Sequence, residues 1–206
     1  IQNAPRVLID GHMDEVGFLL ANFNEDGSVG IVPVGGIDIA DIMEAVFRVK
    51  TKDRREYIGT IINREAKEFS QIKLDFGFLN LNEAKDAGLE FGDMITFVSP
   101  FKDLDNGFYA CKAIDNRYSL ALGLEVLEYF KDKELPFDLY VGGSVQEEVG
   151  LRSASAVVNL IKPDLAIVLD CSRAVVDPHE LGHVDEGVAL RFFDPSIRSL
   201  APNLSA

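Results

Sequence analysis

Glu147 and Glu148 stand side by side in LYVGGSVQEEVGLRSA (139–154), where an apolar run leaves what reads as a buried strand. Two like charges in a partly dry place repel, and each loses several kcal/mol of hydration unless something compensates. Either both face water, or a cation sits between them and other groups. Further charged residues follow apolar runs in the same way: His12 and Asp14 after VLIDG, and Asp170 after LAIVL. Asp115 opens a helical pattern. One imidazole with several carboxylates suits Zn²⁺ or a similar divalent transition ion better than Ca²⁺, which prefers oxygen shells. Asp14 can accept the second ring N–H of His12, fixing its tautomer. One of the paired glutamates can coordinate while its neighbour takes a proton from water. Magnitudes favour that division. A positioned base supplies roughly 10²–10⁴-fold, enzymes need about 10⁶-fold or more, and metal ions about 3.5–4 Å apart can supply much of the rest.

The elements that must carry these residues fall into two patterns. RVLID (6–10) reads as a short buried strand stopped by Gly11. From Val16 to about Val98 come short strands every 8–12 residues with turn signals such as NEDGS (24–28) between them, the pattern of a small β-barrel or sandwich. NEAKDAGLEFGD (82–93) reads as a helical turn capped by Gly88. After Gly107 the character changes. DNRYSLALGLEVLEYFKDKELP (115–136) reads as an amphipathic helix with Asp115 at its mouth and Pro136 at its end. FDLYVGGSV and PDLAIVLD are apolar strands with a helix over RSASAVVNLI between them. That alternation predicts an α/β fold, a mostly parallel sheet flanked by helices. Its discontinuous domain takes in residues 1–17 and 107–206, and a β-rich insertion spans 18–106. Ligands of open α/β sheets bind beyond the carboxyl ends of the strands, where the charged residues lie.

Composition narrows the partners. The chain has 206 residues, is 47% hydrophobic and carries a net charge of −14 with no basic run, so a phosphate-backbone footprint is missing and nucleic acid is not expected. No apolar stretch is long enough to span a bilayer, and no signal peptide leads the chain. Cys111 and Cys171 are too few and too far apart for a disulfide framework. A reducing cytoplasm fits, the Asn203-Leu204-Ser205 sequon then reads as chance, and Cys171 reads as a small buried filler. Both ends read as internal to a longer protein.

GHMDEVGF (11–18), AIDNR (113–117), QEEVGLR (146–152) and LDCS (169–172), in that order, closely resemble the cytoplasmic two-metal aminopeptidases that assemble into tetrahedral particles, the glutamyl/leucyl aminopeptidase group. The resemblance covers most of the chain, GVALRFFDPS (187–196) included. It implies hydrolysis of amino-terminal residues from short peptides by two divalent ions, Zn²⁺ with Co²⁺ or Mn²⁺ as alternatives. It implies that His12, Asp115 and Asp170 hold one ion, that Asp115 bridges to a second held by Glu148, that Glu147 is the general base, and that Asp14 orients His12. It also implies self-association through the β-rich insertion into dimers and a tetrahedral dodecamer. LRFFDPS (190–196) leans toward the glutamyl branch and acidic amino-terminal residues, against which the negative net charge argues.

Two departures stand beside the resemblance. The family's last histidine ligand lies beyond anything present here, since His179 and His183 come too soon after Asp170 and read as surface residues. GTIINREAKEFSQIKLDFGF (59–78) is shorter than the family's equivalent and lacks its Pro-Pro-His segment. Singly, each site residue has an ordinary reading: a structural histidine, a solvated turn, an N-cap for Asp115, a turn for Asp170. Four such coincidences in the family's order are a weaker account than one site. The alternatives are a related metallo-amidohydrolase, a carboxypeptidase or deacylase, and a catalytically incompetent assembly subunit.

Overall fold

The computed structural model describes residues 3–172, 187 and 188. The chain divides into two units, Ile1–Asp170 and Cys171–Ala206, and the regular elements among the described residues lie in the first. The strands are β1 (Arg6–His12), β2 (Gly17–Phe23), β3 (Val29–Val34), β4 (Val46–Lys50), β5 (Glu56–Ile61), β6 (Leu74–Asp75), β7 (Met94–Phe97), β8 (Lys102–Asp103), β9 (Tyr109–Ala110), β10 (Asp138–Ser144) and β11 (Leu165–Val168). The helices are α1 (Leu81–Asp86), α2 (Ile114–Phe130) and α3 (Ala154–Ile161). None of the described helices is long and apolar enough to cross a membrane.

Six strands close an antiparallel barrel in the order β2-β3-β6-β5-β4-β7. Strand periodicity fills it: in β4, Phe47 and Val49 are buried while Val46 and Lys50 are exposed. Phe18 of β2 packs edge-on against Phe47 and Phe97, with ring centroids 5.7 and 5.8 Å apart. β8 and β9 pair as a two-stranded sheet, and a three-stranded sheet has β1 at its centre, parallel to β10 on one side and β11 on the other. The mixed α/β fold with a β-barrel between parts of a parallel sheet is as the sequence predicts.

Register carries the consequence for function. His12 pairs with Ser144 and Asp10 with Val168, and the ladder runs on through Met13 N to Ser144 O (2.9 Å) and Leu169 N to Asp10 O (2.9 Å). The chain therefore leaves all three parallel strands at the same edge. β1 does not stop at Gly11: that residue pairs with Gly143, and the strand continues to His12. Gly11 answers to packing instead of a turn, because a Cβ there would meet Ser119 Cβ of α2 at 2.5 Å.

α2 also departs from expectation. Its buried residues are Asn116, Ser119 and Gly123, while Leu124 and Tyr129 are exposed. Small side chains face the sheet because the approach is close; a Cβ on Gly123 would meet Val141 Cγ1 at 2.5 Å. The helix ends at Phe130, short of Pro136. Its first turn is irregular, with Asp115 and Asn116 outside helical φ/ψ and a cis peptide between them. Asp115 caps no helix. Cys171 is half-buried. His179, His183, Leu190–Ser196 and the sequon lie outside the described residues.

Candidate metal centre

Five acids converge on one imidazole at the shared edge of the parallel strands. His12, at the end of β1, is 3% exposed. Its Nδ1 lies 3.2 Å from the Asp14 carbonyl and 3.5 Å from Asp14 Oδ1, so Nδ1 carries the donated hydrogen, the assignment that satisfies this network. Nε2 then faces Asp115 Oδ1 at 3.1 Å, Glu147 Oε2 at 3.7 Å and Asp170 Oδ1 at 3.9 Å. Asp115 comes from the irregular first turn of α2, Glu147 and Glu148 from the loop after β10, and Asp170 from the segment after β11. Two overlapping sets each bring one ligand atom per residue within 4.8 Å of the others: His12, Glu147 and Glu148, and His12, Asp115 and Asp170. The structure thus brings together His12, Asp14, Asp115, Glu147, Glu148 and Asp170.

Titration reflects the crowding. Burial would lower the His12 pKa, but the negative charges of Glu147, Asp115 and Asp170 outweigh it and hold the imidazole above its ordinary value. Burial, aided by the neighbouring Asp115, pushes Glu148 up to about 7. Glu147 is raised, first by burial, with the charges of Asp170, Asp14 and Asp115 adding to it against His12. The donor set fits divalent cations: an imidazole nitrogen and carboxylate oxygens at ligand separations, with the His12 tautomer pinned from behind.

Several supporting contacts carry no mark in the sequence. The Asp14 carboxylate does more than face His12; its Oδ1 accepts from Glu147 N (3.1 Å) and its Oδ2 from Glu148 N (3.3 Å), fixing the loop that bears both glutamates. Buried Asn116 donates from Nδ2 to Leu169 O (2.8 Å) and accepts from Ser119 Oγ, tying α2 to the segment that carries Asp170. In AIDNR only its adjacency to Asp115 hinted at this. Beside the cluster opens a cavity of about 630 Å³, lined by Val46 and Phe97 of the barrel, Val98, Lys112, Asp115 and Glu148 among others.

The profile of the M42 glutamyl aminopeptidase family matches residues 1–205. The glutamyl aminopeptidase of Lactococcus lactis is 36% identical over 95% of this chain and 59% of its own length. Among solved structures, the TET aminopeptidase of a marine sediment Thaumarchaeota archaeon superposes with a TM-score of 0.82 at 30% identity, over 89% of this chain and 56% of that one. The Pyrococcus horikoshii TET1 peptidase, which can assemble into a tetrahedron or a large octahedral shell, gives 0.72 at 26% identity, over 82% and 55%. The chain thus spans less than two thirds of the length of the proteins it resembles.

Proposed function

Because the chain belongs to the M42 family of glutamyl aminopeptidases, we propose that the protein is a metal-dependent aminopeptidase releasing amino-terminal residues from short peptides. The observation that carries this reading is the convergence of Asp115, Glu147 and Asp170 oxygens on His12 Nε2 within 3.9 Å. His12, Asp115 and Asp170 would hold one divalent ion, with Asp115 and Glu148 available to a second; Zn²⁺ suits the donors best, Co²⁺ and Mn²⁺ next. Ions bound there polarise the scissile carbonyl and acidify water. Glu147 takes the proton from the attacking water and returns it to the leaving amine. Its raised pKa brings it nearer the operating pH, as a base that must later act as an acid requires. Asp14 keeps both His12 and the Glu147–Glu148 loop in place. The free amino terminus of the substrate would sit near the second ion and the acidic side chains that line the cavity, Asp115 and Glu148 among them, which suits an exopeptidase.

For side-chain preference we favour glutamyl and aspartyl peptides, on the likeness to the Lactococcus lactis glutamyl aminopeptidase. Residues 1–17 and 107–206 form the catalytic domain, and 18–106 the barrel domain through which copies pair and build a tetrahedral dodecamer; the Pyrococcus horikoshii relative can assemble into a tetrahedron. The setting is cytoplasmic, with no nucleic acid or membrane partner. The test is hydrolysis of glutamyl, aspartyl, leucyl and lysyl substrates, alongside acylated and carboxyl-terminal ones, with Zn²⁺, Co²⁺ or Mn²⁺ added. Cleavage of free amino-terminal substrates that falls about 10²–10⁴-fold in Glu147→Gln supports the reading. Cleavage of blocked substrates alone would instead favour a related metallo-amidohydrolase, and metal binding without any cleavage an assembly subunit.

A further inference from the structure

Glu15 has no place in the chemistry above, yet its side chain is only 16% exposed and sits in the link between β1 and β2. Its Oε1 lies 2.6 Å from Lys112 Nζ and 3.5 Å from Arg117 Nη2. Arg117 also donates from Nε to the Met13 carbonyl at 3.2 Å. The two cations flank Asp115 on either side along the chain, so one carboxylate grips both sides of the turn that presents it. Regular helix does not hold this turn. Ala113 has φ of 56°, Asp115 and Asn116 are non-helical, and no side chain caps the helix. The Asp115 side chain is itself 61% exposed and faces a cluster of other carboxylates that repel it.

We propose that Glu15 is a positioning residue: acting through Lys112 and Arg117, it clamps the 112–117 turn onto the β1–β2 link, so that Asp115 faces His12 before any cation arrives. The Lys112 pair does most of this, because it is the shorter and more buried; Arg117 is 54% exposed and screened by water. Removing either partner of a largely buried pair strands the other charge. The link from Asp115 to a metal rests on the function proposed above, but the clamp does not.

The test uses Glu15→Gln, Lys112→Met and the double variant, with two readouts. One is Co²⁺ affinity from its visible absorption. The other, without metal, is amide hydrogen exchange at Lys112 and Arg117, whose N–H groups bond Ser99 O (3.3 Å) and Ala113 O (3.1 Å). The clamp predicts faster exchange at both amides and Co²⁺ affinity about 10–100-fold weaker in each single variant. The double variant is then no worse than either single, since both cut the same contact. Unchanged exchange in Glu15→Gln overturns the proposal. So does tighter Co²⁺ binding by Lys112→Met, which would make Lys112 a competitor for the acidic site. If the native protein binds no Co²⁺, the functional reading falls, and exchange alone still decides the clamp.

Discussion

Replacing Gly11 by alanine tests whether the spacing of α2 from the sheet sets the metal centre. The new methyl would lie 2.5 Å from Ser119 Cβ, against about 3.5–4.0 Å for an unstrained carbon pair. Either Ser119 or the start of α2 must retreat by about 1 Å, and overpacking of this kind costs about 1–3 kcal/mol. The same turn of α2 carries Asp115 at 3.1 Å from His12 Nε2 and Asn116 at 2.8 Å from Leu169 O. A retreat of that size opens both contacts. Urea denaturation of Gly11→Ala should show the loss, and a Co²⁺ titration should show weaker binding. Ser119→Gly in the same chain removes the clashing carbon while losing the hydroxyl bonded to Asn116 and about 0.5 kcal/mol of helix propensity. The double variant should therefore lose less than the sum of the singles. Gly36→Ala serves as control: nothing lies within 4 Å of a Cβ there, so its effect should stay within about 0.5 kcal/mol. Strict additivity, or a Gly11→Ala protein as stable as the parent with unchanged Co²⁺ affinity, would refute the reasoning.

Metal binding should release protons around neutrality, because Glu148, with its pKa raised to about 7 against an ordinary 4.5, is about half protonated at pH 7 and must ionise to coordinate. Calorimetry in buffers of different ionisation enthalpy measures this, and the release should shrink as pH rises above 7. The sign for stability without metal follows from linkage. Between 4.5 and about 7 the folded state holds a proton on Glu148 that the unfolded chain has given up, so this group's contribution to stability falls as pH rises across that window. Urea midpoints measured over the same range check it. In the barrel, Phe18→Ala should cost about 3–5 kcal/mol in chemical denaturation, since that ring is fully buried against Phe47 and Phe97.

Much of this architecture is written locally. An apolar run followed closely by a charge, as in LAIVLD or GGSVQEE, places the charge at a strand end even though β11 itself is exposed, and three parallel strands in common register bring such ends together. Alternation in VFRVK likewise marks Phe47 and Val49 as interior. What could not be read is set by contacts between distant segments. QIKLDFGF reads as a short strand, but β6 within it is two residues long, too short to show its partners, and only the barrel places it between β3 and β5. Periodicity in α2 points to its leucines, whereas the buried face is Asn116, Ser119 and Gly123. Side-chain volume at a tight helix–sheet contact decides that face, and Gly11 lies more than a hundred residues away. Glu15 and Asn116 were silent for the same reason: their partners, Lys112 and Leu169, are remote in sequence.

The need for a cation follows from His12 alone. With Nδ1–H committed to the Asp14 carbonyl, a neutral ring turns the Nε2 lone pair toward oxygens of Asp115, Glu147 and Asp170, all within 3.9 Å. Lone pair against carboxylate is repulsive, and a ring that is 3% exposed has little water to relieve it. A positive species on Nε2 resolves the arrangement. A proton does so, which is why the surrounding acids hold the imidazole pKa above its usual value despite burial. A divalent ion resolves it more fully, because it engages several carboxylates at once where a proton on Nε2 serves mainly the closest, Asp115. Proton and metal therefore compete for the same nitrogen, and acidification should expel the metal before it unfolds the barrel, whose buried core is apolar.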